Sequence, residues 1–189
     1  MFKKNFSLIL FLLLPLNSFS VLKADIKENI IQNISNMETL RFNFNQISLD
    51  KKESGICFLK RPQYLKCEYN DKNQKELIVN RKKLVIYNKR YQKIYSYPLS
   101  KSYFNEILDK KEFSKMIYDG IVKKEKNNFI VECYLKEKGN IILYFNVENY
   151  ELMGWDLISL NSSEIQFRMF NSSKNLKIDE KIFNIPKIN

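Results

Sequence analysis

At 189 residues, 44 % hydrophobic and 14 % aromatic, the chain is long enough for one domain with a sizeable core and too apolar for a disordered one. Its formal charge of +11 is spread over scattered basic residues in a sequence biased toward Lys (27), Asn (22) and Ile (22), with no arginine-rich arm or stripe, so a nucleic-acid partner is not expected. With no His and no Gly-rich phosphate loop, His-based acid–base and nucleophile pairs and the commonest metal ligand are lacking, so neither an enzyme nor a metal or cofactor site is expected.

The N-terminus opens on the short basic segment Met1-Phe2-Lys3-Lys4. The apolar run Phe6–Leu16 follows, too short to span a bilayer, and Ser18-Phe19-Ser20 then offers small residues for a signal peptidase. This predicts a signal peptide over residues 1–20, cleaved after Ser20 with Ala24 as a second option, and export to the periplasm. No cysteine follows either site, which argues against a lipoprotein signal. The remainder, 21–189, reads as a single domain without linkers or repeats.

Ile26, Ile30, Ile34 and Met37 recur at helical spacing, so Asp25 to about Asn36 is expected to be an amphipathic helix. Leu40, Phe42 and Phe44 then alternate with Arg41, Asn43 and Asn45, the period-two signature of a strand with one apolar face. Next comes "GICFLKRPQYLKCEY" (55–69), two alternating runs about an Arg61-Pro62 turn. Parity places Cys57 and Leu59, then Leu65, Cys67 and Tyr69, on the same face as Leu40, Phe42 and Phe44.

Cys57 and Cys67 are symmetric about Pro62, so a hairpin centred there sets them opposite each other, within disulfide reach. Two buried thiols behaving as small hydrophobes is the other reading. Cys133 reads as a plain strand residue.

Further strands are expected near 76–80, 84–88 and 92–97. From Ser102 to Asp119 the period changes. Phe104, Ile107, Leu108, Phe113, Met116 and Ile117 fit one or two short helices. Strands resume at 129–136, 140–147, 152–160 and 164–170, and Ile182–Pro186 closes the chain. The pattern is an α+β domain in which a large antiparallel sheet dominates and the helices at the start and middle must cover its apolar face. Arg61 is out of place on such a face, because a buried guanidinium needs partners or water.

In these residues the sequence resembles the LolA family of periplasmic lipoprotein carriers. The matches are Phe44-x-Gln46; Gly55-x-x-x-Leu59-Lys60-Arg61-Pro62 followed by Leu65-x-Cys67-Glu68-Tyr69; Leu84-Val85-Ile86-Tyr87-Asn88; and Phe183-x-x-Pro186. Departures are Leu65 in place of an aromatic, Cys67 in place of a Trp, Asn80-Arg81 in place of Asp-Gly, and Lys93 in place of a Gln.

The resemblance implies an incomplete antiparallel β-barrel, a strongly curved sheet whose concave apolar face is lidded by short helices. It implies a monomeric carrier that takes lipoprotein acyl chains from an inner-membrane ABC exporter and passes them to the outer-membrane receptor LolB. The cavity would be lined by Leu40, Phe42, Phe44, Cys57, Leu59, Leu65, Cys67 and Tyr69. Phe104, Ile107, Leu108, Phe113, Met116 and Ile117 would form the lid. Arg61 would hold the lid shut through its backbone carbonyls, a use that suits a planar fork of donors. A carrier of another lipid, such as a glycolipid or terpenoid, and an adaptor with a filled core are the alternatives.

Overall fold

The computed structural model describes residues 18–49 and 51–187. The expected signal segment, residues 1–20, lies outside these residues except for its last three, which open the first helix.

Among the described residues eleven strands form one antiparallel sheet that does not close into a barrel, with a few short helices. Helix α1 (Ser18–Ser35) precedes β1 (Thr39–Ser48). The strands β2 (Lys51–Lys60), β3 (Tyr64–Tyr69), β4 (Lys75–Asn80), β5 (Lys83–Asn88) and β6 (Lys93–Pro98) continue as a meander. Helices α2 (Phe104–Leu108) and α3 (Lys110–Asp119) follow a single 3-10 turn at Leu99–Lys101. A second meander runs through β7 (Ile121–Glu125), β8 (Asn128–Leu135), β9 (Gly139–Asn146), β10 (Leu152–Ile158) and β11 (Glu164–Lys174).

The spatial order is β6-β5-β4-β3-β2-β1-β11-β10-β9-β8-β7. Because β6 and β7 are the two opposite edges, the segment joining them has to travel from one side of the sheet to the other. That segment carries α2 and α3, whose apolar residues Phe104, Ile107, Leu108, Phe113, Met116 and Ile117 are all buried in the main core. α1 packs against α3, burying Ile26, Ile30 and Ile34 as its 3.6-residue spacing predicts. The lid position of the helices therefore follows from topology.

Period two sorts the strands between two faces. Phe42 and Phe44 on β1, Cys57 and Leu59 on β2, and Leu65 and Cys67 on β3 are buried in the helix-covered core. On the opposite face Ile78, Val85 and Tyr87 form a smaller cluster that Ile94 and Ile185 cover. Phe183, within a 3-10 turn at Glu180–Phe183, is fully buried and packs on the Tyr64 ring at 5.5 Å. Its carbonyl accepts a 3.0 Å hydrogen bond from Asn80 Nδ2, so the closing Phe183-x-x-Pro186 segment braces the outer face of the β3–β4 pair.

The first helix begins at Ser18, ahead of the expected Asp25, β2 begins at Lys51, ahead of Gly55, and two strands differ further from the sequence reading. β7 is a strand that periodicity did not reveal, because among its five residues only Val122 is buried. Its Lys123, Lys124 and Glu125 blunt an exposed sheet edge instead of packing. β11 runs four residues beyond the expected end at Phe170, where its end pairs with the start of β1, Leu40 facing Lys174.

Candidate functional site

Between the concave face and the helices lies a cavity of about 30 Å³, room for about one water-sized molecule. Of the sequence-predicted residues, Leu40, Phe42, Leu59, Leu65 and Arg61 line it from the sheet, and Phe104, Ile107, Leu108 and Phe113 line it from the helices. Phe44, Cys57 and Cys67 lie in the core beside it without reaching it, as do Met116 and Ile117. Tyr69 faces a separate open groove of about 270 Å³, shared with Leu77, Leu84, Ile86 and Phe104.

Cys57 and Cys67 face each other in the β2–β3 register and form a disulfide. Of the two readings left open by the sequence, the bridged one is the structure. The pair ties together the two strands that carry the Arg61-Pro62 turn, whose peptide is cis. Cys133 stays free and buried, and burial pushes its thiol up to about 12, which leaves it inert at neutral pH.

Arg61 is 6 % exposed, an unusual place for a guanidinium. Its Nη1 donates to the main-chain oxygen of Leu108, the last residue of α2, at 2.8 Å. The charge sits 5.9 Å from the centre of the Phe113 ring. Burial lowers its pKa to about 10, against the opposing pull of Asp109 and Glu38, so it remains a cation at neutral pH. Its own backbone N–H donates to Glu38 O at 2.9 Å.

The helices are held at three further points. Asp109 Oδ1 caps α3 by accepting from the backbone N–H groups of Lys111 and Glu112 at 2.9 and 3.0 Å. Lys110 Nζ donates to Ser35 O at 2.9 Å and to the Glu38 carboxylate. Lys138 Nζ pairs with Glu106 at 2.6 Å and donates to Ser102 O at 3.0 Å. These ties are short polar contacts at the ends of helices of five and ten residues.

The far wall of the cavity was not legible in the sequence. Leu152 and Trp155 of β10 and Met169 of β11 supply it, and Asn33, Glu151 and Lys174 form a polar rim. Lys174 bridges Glu151 at 2.8 Å and Asn33 Oδ1 at 2.8 Å. Trp155 stacks on Phe167 at 4.3 Å, and Phe167 stacks on Phe44 at 4.9 Å, so a continuous aromatic column backs the cavity. The one signal available was that Trp155 is the chain's single Trp, set in an alternating run.

Chemically the site offers apolar enclosure, one buried cation and a helical cover. Among the described residues no group of His, Cys, Asp and Glu is arranged to hold a metal, and no helix is long and apolar enough to cross a membrane.

A family model described as outer membrane lipoprotein carrier protein LolA matches residues 35–186. No curated protein matches the chain. Among solved structures, an uncharacterized conserved protein from Thermus thermophilus is similar at a TM-score of 0.57 and 7 % identity, over 87 % of this chain and 94 % of that one. The MucA/MucB complex of Pseudomonas aeruginosa gives a TM-score of 0.52 and 8 % identity over 87 % of this chain and 61 % of that one. A DUF1329 family protein from Desulfovibrio piger gives 0.50 and 9 % identity over 87 % and 96 %. At such identities the likeness is one of fold.

Proposed function

The chain belongs to the LolA family of outer membrane lipoprotein carrier proteins, and from that premise we propose that it is a periplasmic carrier of lipoprotein acyl chains. In this reading the segment 1–20 is a signal peptide and 21–189 is the monomeric carrier. It receives cargo from an inner-membrane lipoprotein ABC exporter and delivers it to an outer-membrane receptor of the LolB type. It performs no catalysis.

The observation that supports the reading best is Arg61. A cation inside an apolar cavity, donating to the carbonyl that ends α2, links the sheet to the helices at the point where the cavity would open. The cavity of about 30 Å³ is too small for an acyl chain, so in this reading the helices move away from the concave face to admit cargo. Opening exposes Leu40, Phe42, Leu59 and Leu65 to an acyl chain, with Phe44 and the Cys57–Cys67 bridge beside them and Tyr69 in the adjoining groove. Magnitude explains why a carrier is required. At roughly 0.8 kcal/mol per methylene, a three-chain lipid with about forty methylenes costs on the order of 30 kcal/mol to expose to water. Handover then runs on small differences in affinity between carrier, membrane and receptor.

A second reading is favoured by the small cavity alone: a periplasmic adaptor with a filled core and a protein partner. A carrier of a different lipid is its neighbour. Native mass spectrometry and solvent extraction of the purified protein separate carrier from adaptor by the presence of bound lipid. Release of a lipoprotein from spheroplasts into solution by the protein, followed by its incorporation into outer membranes, separates lipoprotein cargo from other lipids. A lipid-free protein that also fails to release lipoprotein from spheroplasts overturns the carrier reading.

A further inference from the structure

Among the described residues Phe104 alone lines both the cavity under the helices and the open groove of about 270 Å³ beside it. The cavity has room for about one water-sized molecule, so cargo has to enter past one of its walls. Two of those walls differ in chemistry. On one, Lys174 joins Glu151 and Asn33 Oδ1, each at 2.8 Å, and Asn33 Nδ2 donates to Asn149 O at 2.9 Å. A methylene chain passing there has to part these polar groups and offers them no partner in return. On the other, the barrier is the Phe104 ring, whose centre lies 4.4 Å from that of Tyr103. The groove beyond it is walled by Leu77, Leu84, Ile86 and Ile165. Its polar members are already engaged, Tyr69 with Gln46 at 3.1 Å and Lys75 with Glu53 at 2.6 Å. At Leu84, Ser102 and Tyr103 it adjoins a second open groove of about 540 Å³.

The Phe104 barrier is carried on a helix held at both ends. Arg61 Nη1 donates to Leu108 O where α2 finishes. Where α2 begins, Lys138 reaches across from the turn between β8 and β9. Its ammonium bonds both Glu106 carboxylate oxygens at 2.6 and 2.9 Å and Ser102 O at 3.0 Å. We propose that acyl chains enter and leave the cavity through this groove, with Phe104 as the door and Lys138 as its latch. The inference rests on the carrier reading and adds to it a route and a second tie besides Arg61. Lys138 does not line the cavity, so it acts on passage and not on the bound chain.

The test is stopped-flow binding of cis-parinaric acid, a fluorescent polyene fatty acid, to the full mature chain. Ile86→Trp puts bulk into the groove away from the cavity, and Ser172→Trp puts the same bulk at the polar rim. An obstacle on the route raises one barrier in both directions. Ile86→Trp should therefore slow entry and release together by about tenfold, equivalent to roughly 1.4 kcal/mol, and leave the Kd within about twofold. Ser172→Trp should slow neither. Lys138→Met should speed both steps by a similar factor, and Lys138→Arg, which keeps a donor for Glu106, should restore wild-type rates. Wild-type rates in folded Ile86→Trp overturn the proposal and leave the carrier reading intact, as does slowing by Ser172→Trp alone. Weaker binding through faster release in Ile86→Trp would make the groove the place where the chain rests, and overturns the proposal too. Should Ile86→Trp fail to fold, Lys138→Met decides, and unchanged rates there overturn it. Absence of any probe binding by the wild type overturns both this proposal and the carrier reading.

Discussion

Phe44 packs its ring over the bare α-carbon of Gly55, its partner across the β1–β2 ladder. A Cβ on Gly55 would stand 2.0 Å from the backbone oxygen of Glu68 and 2.8 Å from the Phe44 ring. The first of these is main chain and cannot swing aside. The glycine that leads the hairpin motif is thus required by close approach of two backbones, with the aromatic filling the space above it.

Gly55→Ala should therefore destabilise the protein by about 2–4 kcal/mol, in the range of severe overpacking. The urea midpoint measures it. Phe44→Leu in the same background should recover little, because the backbone clash remains. A midpoint within error of wild type for Gly55→Ala would show that the β2–β3 pair can spread at no cost.

The disulfide makes a second prediction. Cys57 and Cys67 close a short loop around the Arg61-Pro62 turn, and both are buried. Constraining a loop of this length is worth about 2–3 kcal/mol. Replacing both residues by Ala should lower stability by about that amount, read from urea unfolding. Native protein should also resist reduction at low denaturant, with thiol labelling appearing only as the sheet opens. Rapid labelling of both thiols in reductant without denaturant would mean that the hairpin breathes independently.

The Arg61-Pro62 hairpin and the cavity's near wall were the legible parts of the site, and their legibility has a common cause. Leu40 and Phe42, and Leu59 and Leu65, report through local alternation and through symmetry about one turn, both of which are properties of neighbouring residues. Membership of Trp155, Met169 and Leu152 in the same cavity depends on β1 pairing with β11, a contact between opposite ends of the domain that no short window encodes. β7 escaped for a different reason. An edge strand with one buried residue has almost no apolar period to detect. The role of Phe183 and Ile185 in covering the outer face is likewise a product of where the chain happens to return.

The Lys110–Glu38 pair gives a pH dependence. The hydrogen bond and charge of Lys110 hold the Glu38 carboxyl below its ordinary value of 4.5. A group whose folded pKa is depressed contributes stability that is present above the unfolded value and lost as pH falls through the folded one. Glu38→Gln should therefore lower the urea midpoint slightly at pH 7. The gap from wild type should close as pH drops below 4.5. The pair is exposed, so the effect should also shrink in high salt. A gap that is constant from pH 7 to pH 3 would mean that the pair contributes no net stability.

In the proposed carrier reading the Arg61–Leu108 hydrogen bond is the gate. Removing the guanidinium also removes a buried charge, so global stability is a poor readout and can move either way. The equilibrium between empty closed and loaded open protein is the informative one. Arg61→Leu deprives the closed state of a charged hydrogen bond worth roughly 1.5–3 kcal/mol while leaving the loaded state without that loss. Bound acyl chains should then be retained about ten- to a hundredfold longer at equal entry rates. In the two-step assay the variant should accept lipoprotein from spheroplasts as the wild type does and deliver it poorly to outer membranes. Arg61→Lys should fall between, because a point ammonium replaces a planar fork. Hydrogen exchange supplies an independent check: amides of residues 104–119 should lose protection in Arg61→Leu while those of β1 and β11 keep theirs. If Arg61→Leu performs both transfer steps at wild-type rates, the arginine is a turn residue whose bond to Leu108 gates nothing.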